Sequence, residues 1–196
     1  MDSDLVRDEE RDKLRAEVGG RARLTAAEIV ALDIPARNRV EALLRREFLS
    51  DRDLHELACD FAEHTLGAFE ALAPGDDRPR RCVEVARRYI NGEADRGELH
   101  EALADADAAT MTFFGGPHLS AFSAGLATTL LELTEPAKHA REIAGGAYIA
   151  AYRVLYEARQ ASGGEYIPVT EEEADAEARW QLDRVVKKLP TLLLAV

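Results

Sequence analysis

Apolar side chains recur every three or four residues along most of this chain, the spacing that gathers them on one face of an α-helix. The pattern is clearest at 53–72, "DLHELACDFAEHTLGAFEAL", where Leu54, Leu57, Ala58, Phe61, Ala62, Leu66 and Phe69 fall on one side and acids on the other. A helix of this kind has to bury its apolar face. Upstream, "TAAE" at 25–28 has the form of a capping box, in which Thr25 and Glu28 satisfy free amides at a helix start, and a short helix should follow to about Leu32. Pro35 fits the first turn of the next helix, whose face is Val40, Leu43, Leu44 and Phe48 and whose end is expected near Ser50.

After "APGDD", Asp76 or Asp77 is suited to cap a helix with Pro79 in its first turn, with Cys82, Val83, Ala86, Tyr89 and Ile90 inward and Asn91-Gly92 as the stop. Further helices are expected at about 96–114, at 118–134 and from Pro136 to about Ala161, the last with a stripe of Ile143, Ala144, Ala147, Tyr148, Ala151, Leu155 and Ala158. Its small residues, "AGGAYIAA", would let another helix approach closely, although each internal glycine costs about 1 kcal/mol relative to alanine. "SGGEYIP" reads as a loop, and "TEEE" at 170–173 as a second capping box opening a final helix to Pro190 with Ala178, Leu182, Val185, Val186 and Leu189 inward. Since no run of alternating β-branched residues lies between turn signals, no strand is expected. The fold class is all-α: one domain built as a bundle of about seven to eight helices, with short loops that make sequential helices antiparallel neighbours. Its limits are 23–190, preceded by a charged arm or frayed helix at 1–22 and followed by a tail at 191–196.

Composition narrows the partners. The 196 residues carry 37 acids against 25 Lys and Arg, a formal charge of -12 that repels nucleic-acid phosphates and anionic lipid while drawing in basic proteins. No nucleic acid and no membrane is therefore expected as a partner, and a cytoplasmic location follows from the lack of a leader-like or membrane-spanning stretch. Cys59 and Cys82 each sit in an apolar helical pattern without CxxC spacing, so buried free thiols are expected.

Motifs for chemistry are missing. Residues 52, 61, 97, 115 and 136, three before each histidine, are Arg, Phe, Gly, Gly and Pro, so the Glu-x-x-His of a di-iron bundle is absent. "HELAC" and "HEALA" are not HExxH, and neither a phosphate-binding glycine loop nor a hydrolase elbow occurs. No catalytic residue, cofactor or metal is expected. Asp60 and His64 stand four apart and could share a proton, with Glu63 beside them, but such pairs are common on solvated helices. Trp180 and the tyrosines read as helix-contact residues. An arginine-rich stretch remains: Asp77, Arg78, Arg80, Glu84 and Arg88. Read functionally, it is a site for an anion or an acidic partner at a helix start; read structurally, Arg80, Glu84 and Arg88 make an i, i+4 ladder while Arg78 braces the preceding helix. The sequence admits both.

"LHELACDFAEHTLGAFE" followed by "DDRPRRCVEVARRYINGE" resembles a bacterial helical family of immunity proteins (Imm-like) of polymorphic toxin systems, and "ARWQLDRVVKKL" is similar to that family's closing helix. The likeness spans roughly 48–190 and is strongest over 53–93. The resemblance implies a non-enzymatic protein that binds and neutralises a cognate toxin by masking its active surface, and the charge suits a basic toxin. Asp60, Glu63 and His64, with Asp77, Arg78, Arg80, Glu84 and Arg88 across the turn, are then the residues for partner binding or for a structural brace. The alternative is a helical scaffold or homodimer whose exposed faces meet some other assembly.

Overall fold

Four of the helices begin where a short polar side chain and an acid three residues later close on each other. A computed structural model of the chain describes residues 23–111, 135–161, 169–190 and 193. It contains α1 (Ala26–Ala31), α2 (Ala36–Leu43), α3 (Asp51–Leu72), α4 (Arg78–Ile90), α5 (Arg96–Thr110), α6 (Pro136–Ala161) and α7 (Glu171–Lys188), with no strand among the described residues. The capping boxes at Thr25/Glu28 and Thr170/Glu173 form as expected, and two more form at Ser50/Asp53 and Asp95/Glu98. These last two use Asp where the usual pattern has Glu or Ser/Thr, which is why a search for the standard form passes over them.

The Ser50 box explains a correction. The expected helix from Pro35 to Ser50 stops at Leu43, and Pro35 is its N-cap rather than its first turn. Leu44 leaves helical geometry at φ −75°, ψ 68°, and a turn held by Phe48 and Leu49 amides on the Arg45 carbonyl leads to Ser50, which starts α3. Leu44 and Leu49 are buried all the same, so the apolar face persists through a bend the periodicity does not register. The expected helix at 118–134, the loop at 162–168, the arm at 1–22 and, Leu193 apart, the tail lie outside the described residues.

Every residue expected on the apolar face of α3 is buried, and α3 packs against α4, α6 and α7. Its most extensive interface is with α6, where Ala140, Ile143, Ala144, Ala147 and Ala150 are buried; next to α4 with α5 comes α2 with α7. Sequential helices do pair in part, but two of the largest contacts join elements far apart in sequence. Buried alanines line the inner face of α6, whereas an added Cβ on its Gly145 would meet nothing within 4 Å. The later part of its expected stripe is less buried, with Leu155 36% exposed. One core cluster runs from Ala26 to Leu189, with Phe69 and Ala109 forming a small satellite.

The end of α4 is a Schellman turn, in which Glu93 N–H donates to the Arg88 carbonyl and Gly92 N–H to that of Tyr89 while Gly92 takes φ +75°. Gly92→Ala should therefore lower stability by about 1–2 kcal/mol through backbone strain alone, since no atom stands near its would-be Cβ. Gly67 sits inside α3 with equally open space and a helical backbone, so Gly67→Ala should raise stability by about 0.5–1 kcal/mol. Urea denaturation of the two variants checks the opposite signs.

Candidate functional site

Glu56, Asp60, Glu63 and Glu70 fall along one side of α3, and Glu177, Gln181, Arg184 and Lys188 along one side of α7. With Arg80 and Arg87 of α4 they make a polar seam beside the core. At its centre Asp60 is only 8% exposed. Arg87 Nη2 donates to its Oδ1 at 2.8 Å, and Arg184 donates to Oδ2 through Nε at 3.0 Å and through Nη2. A single carboxylate thus joins α3 to α4 and to α7, which is how a charge survives burial.

The seam continues on both sides. Arg87 Nη2 also reaches Glu63 at 2.7 Å, and Arg80 links Glu63 at 3.2 Å to Glu70 at 2.5 Å, a contact that raises the Arg80 pKa. Toward the start of α3, the Lys188 ammonium bonds Glu56 and holds its carboxyl below the ordinary range, with Arg52 adding at 3.0 Å. Cys59, beside Asp60 in sequence, is buried and its thiol is pushed up to about 12, so it is an inert packing group; Cys82 is likewise buried and free of disulfide.

His64 belongs to a different cluster. Its Nδ1 lies 2.7 Å from Oε2 of Glu177, and its ring stacks on Trp180 with centroids 3.6 Å apart and planes 4° from parallel. Trp180 meets Phe61 edge-on at 6.2 Å, and the Arg184 guanidinium lies 5.9 Å from its ring centre. Glu177 is 7% exposed, and its other oxygen accepts from Gln181 Nε2 at 3.0 Å, an amide that also donates to the Ala144 carbonyl of α6. His64 and Glu177 open onto a cleft of about 340 Å³ between α3, α6 and α7, walled by Ala68, Ala150, Ala151, Val154, Leu155 and Ala176 with Thr65 and Glu173 at its polar points.

The structure divides the residues singled out in the sequence. Asp60, Glu63 and Arg80 come together, but Asp60 and His64 take separate partners, and Asp60 is buried rather than solvated. Arg78 does not brace the preceding helix; it forks onto Asp76 at 2.8 and 2.6 Å and lowers that carboxyl. Asp77 is the N-cap residue without a side-chain capping bond. The ladder gives way as well: Arg80 turns to α3, Arg88 to Glu98 of α5 at 3.2 Å, and Glu84 is exposed. A residue four positions away lost each contest to one on another helix. Arg87, Arg184, Glu177 and Gln181 were not expected in the site, though the four-three-four spacing of Glu177, Gln181, Arg184 and Lys188 was a legible sign that α7 has a polar stripe to place. Among the described residues, no group of three or more His, Cys, Asp or Glu could hold a metal ion, and no helix is long and apolar enough to cross a membrane.

Residues 47–188 match the model of the Imm-5 like putative immunity protein family, a span that holds the whole seam and all of α3 to α7. The chain belongs to that family. Comparison with curated proteins and with solved structures found no match. The family segment begins just before α3, yet α2 and its C-cap, which precede it, contribute Val40, Leu43 and Leu44 to the same core. In this Imm-5 like chain the first two helices, outside the matched residues, pack on the same core.

Asp60→Ala leaves Arg87 and Arg184 facing each other and should cost about 2–4 kcal/mol, less than a fully buried orphan charge because the two arginines are 34% and 40% exposed. Asp51→Ala, at a pair with Arg46 where both side chains are over half exposed, should cost under about 1 kcal/mol. Equilibrium unfolding in urea separates them. Acid should also weaken the fold. The Thr170 hydroxyl and amide, then Arg159, lower Glu173 from 4.5 to about 2, and Glu56 and Asp76 are lowered too. These carboxyls take up protons less readily folded than unfolded, so their contribution is complete above their ordinary values and fades as pH drops, for Glu173 between 4.5 and about 2. Urea midpoints should fall from about pH 6 to about pH 3, with a smaller fall in Glu173→Gln.

Proposed function

We propose that this chain is a non-enzymatic immunity protein that binds a cognate bacterial toxin and blocks its active surface. Family membership over 47–188 carries the reading. The formal charge of -12 supports a basic partner, since opposite charge speeds encounter and suppresses wrong partners. The seam favours the same view in a different way. Asp60, Glu63, Arg80, Arg87 and Arg184 satisfy one another, so they hold α3, α4 and α7 as a rigid platform and leave binding to neighbouring surfaces.

Co-expression with the product of the adjacent upstream gene should relieve growth arrest caused by that product, and the two should purify as a stoichiometric complex. Its association rate should fall about tenfold or more between low and physiological salt. Failure of rescue, with the chain instead self-associating, would favour a scaffold or homodimer.

A further inference from the structure

Among the described residues, the large apolar side chains left exposed are Met111, Ile149, Tyr152 and Leu155, and three of the four stand on α6. Leu155 borders the cleft with α3 and α7. Ile149 and Tyr152 do not: at about 100° per residue they fall nearly opposite buried Ala147, on the side of α6 turned away from α3. Gly145 and Tyr156 share that side, and the four-three-four spacing of Gly145, Ile149, Tyr152 and Tyr156 is the one with which paired helices mesh. A single exposed apolar residue needs no explanation, but a stripe of helical period does.

Charge selects what covers it. Glu142 and Arg153 flank the stripe on one edge, and Lys138 continues its line toward the start of α6. Glu142 lies 3.3 Å from His139 and Lys138 lies 3.9 Å from Glu135, each with about half of its side chain in solvent. On the other edge Arg141 and Arg159 turn inward, to the Leu44 carbonyl and to Glu173. The outward charges of Glu135, Lys138, Glu142 and Arg153 therefore cancel, on a chain whose formal charge is -12. A basic protein is steered to acidic faces, whereas two copies of so acidic a chain can meet closely only where charge is balanced. A second copy is the occupant this face suits.

We infer that the chain forms a homodimer in which the outer faces of two α6 helices pack antiparallel, about a two-fold axis at the height of Ala147. The two-fold brings like edges together and sets residues equally far on either side of 147 against each other. Ile149 of one copy lies over Gly145 of the other, where an added Cβ would meet nothing within 4 Å. Glu142 comes level with position 152 of the second copy, one residue or about 1.5 Å from its Arg153. Lys138 reaches the ring of its Tyr156, a cation–π contact. Parallel helices would instead set Glu142 against Glu142 and Arg153 against Arg153. The antiparallel pairing is isologous, so each contact occurs twice and assembly closes at two copies.

Sedimentation equilibrium of the full chain tests this. The 21.6 kDa monomer should pass to a dimer with Kd on the order of 10 μM, a single helix pair being a small interface. Ile149→Asp, at a position 54% exposed, should weaken the dimer at least about tenfold while its circular dichroism melt stays unchanged. Glu142→Arg and Arg153→Glu should each weaken it, and the two together should restore it, because the swapped pair is again complementary. A chain monomeric to about 200 μM, a dimer indifferent to Ile149→Asp, or a double variant no tighter than the singles would each overturn the pairing. The inference is independent of the immunity reading. A dimer that rescues no toxin would refute that reading alone, and a folded Ile149→Asp chain that still dimerises but no longer rescues would give this face to the toxin and overturn the pairing.

Discussion

Asp60 is the point on which the arrangement of helices depends. Apolar faces attract each other with little regard for register, and α3, α4 and α7 could slide or rotate against one another at modest loss of buried area. A carboxylate 8% exposed allows no such freedom: it must meet Arg87 from one side and Arg184 from the other, or remain charged and unpaired. Each misaligned packing carries that penalty. The pair adds little net stability beyond what an apolar contact would give, so its effect lies in the cost it imposes on alternatives.

From that fixed point the rest of the seam follows by helical spacing. Arg87 reaches Glu63 as well as Asp60, which sets the height of α4 against α3, and Arg80, two turns earlier, then meets Glu63 and Glu70. On the other side Arg184 places α7, whose next turn brings Lys188 to Glu56 and whose preceding turns bring Trp180 to His64 and Glu177 beside it. Gln181 carries the connection to α6 by bonding both Glu177 and the Ala144 carbonyl. Three helices are thereby joined to α3 through polar atoms that each need a particular partner, while Phe61, Leu66 and Ile143 fill the adjoining volume.

The same geometry separates two kinds of acid. Those in the seam have cations from within the chain, and the protein gains a rigid frame from them. Glu177, beside the cleft between α3, α6 and α7, is held instead by His64 and Gln181.

The sequence by itself determined the helices and their inward faces. Leu54 through Phe69, Cys82 through Ala86 and Ala178 through Leu189 could be read because helical periodicity is a local property, and Thr25/Glu28 and Thr170/Glu173 because a capping box closes within one turn. The bend after Leu43 was less legible, since Leu44 and Leu49 stay buried across it and the period alone carries on. Tertiary structure decided the partners. Arg80 had Glu84 available four residues away and took Glu63 and Glu70; Asp60 had His64 and took Arg87 and Arg184. A local ion pair on a solvated helix gains a few tenths of a kcal/mol, whereas a carboxylate being buried needs every cation within reach, and those cations stand on helices whose proximity no spacing along the chain reveals.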